Sequence, residues 1–250
     1  MSRRAVASVS KDQPDSESGQ VVFDYRLKFD DASQWEFLIR LDPGTLAIIL
    51  PESVDLPDWA ALDFHRCPNC SLDSSKHAHC PVAVSMVELV DCFKDCVSHD
   101  AVEVTVRTAQ RGYFMRTSVQ NALSSITGIY MTTAGCPIMD RLRPMVETHL
   151  PFATQEETTY RTVSMYLFAQ FALERHQKDA DWGMSRLMEF LREVGKVNVA
   201  FCERLKAIPH NGDAHVNALT ILDSLASLTS IRIEGGQLEH WESLLLRQWG

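Results

Sequence analysis

No stretch of this 250-residue sequence is apolar for long enough to span a bilayer, which takes a helix of about 20 consecutive apolar residues. Clustered Lys and Arg are also missing beyond short spots such as Arg141 and Arg143, and the formal net charge is −9. Nucleic-acid binding works by neutralising phosphates with clustered cations, so neither nucleic acid nor an anionic membrane surface is expected as a partner. A protein partner stays open. There is no phosphate loop, dinucleotide glycine fingerprint, nucleophile elbow or zinc-protease helix motif, so no single motif points to an enzyme. No secretory leader is expected either. The opening MSRRAVASVSKDQPDSESGQ has Arg3 and Arg4 but no apolar stretch behind them. The reading is a solvated, disordered tail over residues 1–20 and a cytoplasmic chain whose thiols stay reduced.

The composition that remains is ordinary for a globular protein, with 45% hydrophobic and 23% charged residues. Phe23, Tyr25, Leu27 and Phe29 alternate with polar residues, as do Trp35, Phe37, Ile39 and Leu41 after a short turn. That period of two predicts half-buried strands. Leu46 to Leu50 reads as a third strand beyond the turn at Asp42-Pro43-Gly44. Val102, Val104 and Val106 begin a second hairpin that returns at Tyr113 to Arg116.

Helical spacing takes over between and after these strands. It predicts helices over 81–97, 118–134, 181–208, 213–228 and 238–249. Thr117 with Gln120 and Thr154 with Glu157 have the spacing of capping boxes. Gly135 suits the left-handed position after a helix. Val163 to Leu173 is apolar nearly all round, as in a central buried helix. The expected class is α+β: an antiparallel sheet of about five strands covered by helices, with a helical C-terminal half. The corresponding divisions are the tail 1–20, an α+β region 21–152 with a Cys-rich loop, and a helical region 153–250 packed on it.

The seven cysteines sort into two groups. Cys92, Cys96 and Cys202 lie inside amphipathic patterns and read as small buried hydrophobes. Cys67, Cys80 and Cys136 are each followed by proline, and Cys70 completes a Cys-x-x-Cys pair with Cys67. Pro81 and Pro137 suit first helical positions, which places Cys80 and Cys136 at or near N-caps. Unpaired N–H groups and the helix dipole favour thiolate there. Cys67, Cys70, Cys80 and Cys136 are therefore the candidate metal ligands, with His77 or His79 as alternates. A closed site of this kind in a reducing compartment takes zinc by default; an iron–sulfur cluster is the alternative. Four sulfurs on one zinc lie roughly 3.7 Å apart, and within about 5 Å before the metal closes them up. The metal is expected to organise the otherwise patternless loop 51–79 as a structural or sensory centre.

Two other chemistries fit parts of the chain. Cys67-Pro68-Asn69-Cys70 has the spacing of a dithiol redox site, although Ser71-Leu72-Asp73-Ser74-Ser75 after it reads as loop rather than helix. The stretch from Arg141 to Arg161, with His149, Glu156, Glu157 and Tyr160, is a candidate polar pocket of an enzyme of undetermined reaction. Its other reading is a set of surface ion pairs, including Glu157 with Arg161. His210, Asp213 and His215 form a third polar cluster, where Asp213 reads better as an N-cap than as a ligand.

The segments CPNC…HCPVAVSMVELV and RTSVQNALSSITGIYMTTAGCPIMDRLRPMVETHLPFATQEETTYRTVSMYLFAQ resemble a bacterial protein family of unknown function. The likeness runs over about residues 60–172. It implies a bacterial origin and carries no activity with it.

Overall fold

A computed structural model describes residues 19–51 and 56–250. All but the last two residues of the expected tail lie outside that range. The alternating segments form a four-stranded antiparallel sheet of β1 (Val21–Phe29), β2 (Gln34–Leu41), β3 (Ala101–Arg107) and β4 (Gly112–Ser118), in the order β2-β1-β3-β4. Register follows the apolar alternation. Tyr25 pairs with Phe37 on one side and Val106 on the other, and Leu27 with Trp35 and Val104. These residues share one face of the sheet, because side chains two apart point the same way.

That face is covered by α1 (Pro81–Phe93) and α2 (Val119–Thr133). Met86, Leu89, Val90 and Phe93 of α1 and Leu123, Ile126 and Ile129 of α2 are all buried in the same core. Each such side chain contributes about 1.5–3 kcal/mol by leaving water. The remaining elements are α3 (Pro144–Glu147), α4 (Gln155–Arg175), α5 (Ser185–Lys206), α6 (Ala214–Glu234) and α7 (Glu239–Trp249). The chain is thus α+β with a helical C-terminal half. None of the described helices is long and apolar enough to cross a membrane.

The sheet has four strands rather than five. Residues 46–50 make only one bridge, Leu41 to Ile48. Ile48 donates its N–H to the Thr133 carbonyl at the end of α2 and Ile49 to the Arg40 carbonyl, so the segment is divided between two partners and cannot run as a ladder. The helix expected over 81–97 stops at Phe93. The next carbonyls are taken from outside: Lys94 accepts from Gly212 N–H, and Cys96 from the N–H groups of Asp213 and Ala214.

Helix starts show the same competition. Thr154 and Glu157 form a full capping box, with Glu157 N–H to Thr154 Oγ1 at 3.2 Å and Thr154 N–H to Glu157 Oε2 at 2.7 Å. Thr117 forms none, because β4 runs on to Ser118 and the N–H groups of Val119 and Gln120 go to the carbonyls of Asp100 and Ser98. Asp213 does stand at the N-cap of α6, but its carboxylate accepts from Ser98 instead of capping its own helix. Gly135, with φ at 96°, ends α2 as expected.

The central-helix expectation for 163–173 is wrong. α4 buries Thr159, Thr162, Tyr166 and Gln170, and leaves Phe168 and Phe171 exposed. Its inward stripe is polar because it meets polar partners: Thr159 bonds Thr229 at 3.2 Å, and Tyr166 donates to Asp181 at 2.7 Å.

Candidate metal centre

Cys67 and Cys70 lie on one turn, closed by Cys70 N–H to the Cys67 carbonyl at 3.0 Å. Cys80 is the N-cap of α1 with Pro81 at the first helical position. It is fixed on the other side by its N–H to the Ala60 carbonyl at 2.9 Å, beside the bridge between Ala61 and His79. Cys136 follows Gly135 and precedes the short 3-10 turn Met139–Leu142, and Asp140 N–H meets its carbonyl at 2.9 Å. The N–H groups of Met139 and Ile138 are directed at its sulfur. Cys80 stands at a helix start as expected; Cys136 does not, lying two residues before Ile138, the N-cap of the four-residue 3-10 turn.

Three separate segments thus bring these cysteines into one electrostatic neighbourhood. Burial pushes the Cys67 thiol up to about 12, and Cys80, Cys136 and Cys70 each add to the effect. Burial also raises Cys136, which feels Cys80 and Cys70. All four are half-buried free thiols. Among the described residues, no group of three or more His, Cys, Asp or Glu is arranged to hold a metal ion. His77 and His79 are exposed, and the main charge effects on Cys67 and Cys136 come from other cysteines and from Arg204.

Arg204 is the residue that sequence reasoning missed. It lies on α5 and is 2% exposed. Its guanidinium donates to the carbonyls of Trp59, Ala61 and Leu62 at 2.5, 2.8 and 3.3 Å. Burial lowers its pKa, and Cys80, Cys67 and Cys70 are the groups that oppose this. A buried cation thus faces three sulfurs rather than a carboxylate. The signal was present in the sequence: Val197, Phe201, Arg204 and Ile208 occupy one helical stripe, and only Arg204 in it is charged.

The Cys-rich loop also has organisers of its own. Arg66 donates to Asp63, Ser74 and the carbonyls of Cys70 and Leu72. Asn69, between the paired cysteines, donates to the Glu193 carbonyl and carboxylate of α5 at 3.0 and 2.8 Å. Dithiol redox chemistry works from a thiol of lowered pKa at a helix start, whereas Cys67 stands on a turn with burial pushing its thiol up.

With this geometry in hand, the whole chain can be placed. Residues 23–245 match the family model described as a domain of unknown function, DUF6901. The chain belongs to that family. Membership in DUF6901 extends well beyond the segment 60–172 and takes in the sheet and the C-terminal helices. No curated protein and no solved structure matches.

The remaining candidates are more scattered. Cys96 is buried, and Cys92 and Cys202 pack half-buried against the core. His210 and His215 stack at 5.0 Å, while Asp213 is engaged with Ser98. Much of the polar stretch 141–161 is tied up locally. Arg141 lies over the Phe190 ring at 4.2 Å, Arg143 pairs with Asp140, and Glu156 pairs with Arg232. Arg161 does not pair with Glu157, whose carboxylate closes the capping box. It donates to the carbonyls of Met145 and Thr148 at 2.8 and 2.9 Å.

Proposed function

We propose that the protein carries a metal centre on Cys67, Cys70, Cys80 and Cys136, with a structural or sensory role inside the cell. The observation that carries this reading is the shared electrostatic neighbourhood of the four thiols, three of which, Cys67, Cys70 and Cys80, act on the buried Arg204 guanidinium. A buried cation is costly unless something compensates its charge. Neutral thiols do this weakly. Four thiolates on zinc carry a net charge of about −2, which suits a neighbouring guanidinium. An oxidised four-iron cluster on four thiolates carries the same net charge. The N–H groups aimed at the Cys136 sulfur serve either group, since hydrogen bonds to ligand sulfurs tune such centres.

Zinc is the default occupant of such a site, and an iron–sulfur cluster is the alternative. One zinc draws four sulfurs to about 2.3 Å from itself. A cluster places its own irons and sulfides between the cysteines, so its ligands stand further apart. The test is metal and sulfide analysis of protein purified without oxygen. About four irons with acid-labile sulfide per chain supports a cluster, and about one zinc supports the closed site. Substituting Cys136→Ser must abolish the loading in either case. Protein that holds neither metal, before and after anaerobic reconstitution, overturns the proposal.

A further inference from the structure

A second feature lies away from the cysteines. A cavity of about 320 Å³ opens between α2, the segment 139–153, α4, α5 and α6. Its walls are mostly apolar, with Ile129, Leu142, Val146, Leu191 and Leu222 among them. Of all its lining residues only Arg161 is a permanent cation, and none is a carboxylate. Arg161 uses Nη2 on two carbonyls. Its Nε and Nη1 have no partner among the described residues, and the nearby Glu157 is held by Thr154.

Asn198 and His149 are among the other polar groups of the lining. Asn198 is 2% exposed; its Nδ2 reaches Asp223 at 3.4 Å, and its Oδ1 has no partner. His149 is bonded through Nε2 to the Tyr25 hydroxyl at 2.6 Å, and that hydroxyl bonds Ser125 Oγ at 2.8 Å. Burial, helped by Arg161, holds His149 neutral, with a pKa lowered to about 3. The lining therefore offers one fixed positive charge, a neutral hydrogen-bonding corner and a large apolar surface. Buried polar groups left unpaired are costly, and pockets that combine a few of them with apolar walls are typical of ligand sites.

We propose that this cavity binds a monocarboxylic acid with an apolar body of about ten heavy atoms, its carboxylate on Arg161 and its body along α2 and α6. The size follows from the volume at the ~30 Å³ share of a water-sized group. A single cation matches a single negative charge, so a phosphate ester, with nearly twice the charge, fits worse. This proposal is independent of the metal centre.

The test uses the full-length chain and measures binding by calorimetry with octanoate, octanol and octyl phosphate as probes. Octanoate is expected to bind saturably, at least tenfold tighter than either of the others. Arg161→Met should weaken octanoate at least tenfold and leave octanol unchanged. Gly128→Leu is the second variant: a Cβ there meets Leu222 at an ordinary 3.7 Å, so the longer side chain grows into the cavity and should block octanoate and octanol alike. Absence of saturable octanoate binding overturns the proposal. So does equal or tighter binding of octanol or octyl phosphate, or full octanoate binding in folded Gly128→Leu.

Discussion

Replacing Arg204 by Met keeps most of the side-chain stem and removes the charge and three hydrogen bonds to the carbonyls of Trp59, Ala61 and Leu62. Hydrogen bonds from a charged donor contribute about 1.5–3 kcal/mol each. In metal-free protein that gain is offset by several kcal/mol for burying a guanidinium without a counter-ion. The net loss on substitution should then be about 1–3 kcal/mol. With a dianionic centre beside it, Arg204 gains a further Coulomb attraction on the order of 2–4 kcal/mol at an effective dielectric constant near 20. The substitution should therefore cost the loaded protein distinctly more than the metal-free protein. Urea melts followed by far-ultraviolet circular dichroism, with and without the centre, measure both losses, and Arg204→Met should also hold the metal less tightly. Equal destabilisation of the two forms would refute the idea that the guanidinium compensates an anionic cluster.

Two further outcomes follow from the core. His149 has its pKa lowered from 6.5 to about 3 by burial, so the unfolded chain takes up a proton below 6.5 that the native state refuses until about 3. The stability is fully present above 6.5 and falls with pH through that window at up to ~1.4 kcal/mol per unit, or about 2 kcal/mol between pH 7 and pH 5. Burial lowers His215 to about 4, which adds to the same slope. His149→Gln should therefore reduce the pH dependence of the urea midpoint without removing it; an unchanged slope counts against the buried neutral ring. Gly212→Ala puts a Cβ 2.2 Å from the Cys96 carbonyl oxygen, on backbone that cannot move aside without losing the 3.0 Å bond from Gly212 N–H to Lys94. It should lower stability by about 1–3 kcal/mol or more in thermal melts, whereas Gly128→Ala, in mid-helix with room for a methyl group, should be neutral or stabilising.

The sequence by itself determined the local elements. Alternation at Phe23 to Phe29 and Val102 to Val106 specified strands and their buried face, because a period of two leaves no other face to bury. Pro81 set a helix start, and Thr154 with Glu157 set another, because both signals act within one turn of backbone. Where outside partners competed for the same backbone groups, local signals failed. The carbonyls of Lys94 and Cys96 went to residues 212–214, and Ile48 went to the end of α2. α4 misled for a related reason: periodicity reports which residues are apolar, but not whether an element exists to cover them. Tertiary structure alone decided which side chains meet. Sheet order and the packing of α5 brought Arg204 to the cysteines, and the approach of residues 139–153 to β1 and α2 put His149 against Tyr25 and Ser125. These pairs are separated by 100 residues or more in most cases, and no local pattern encodes a contact at that range.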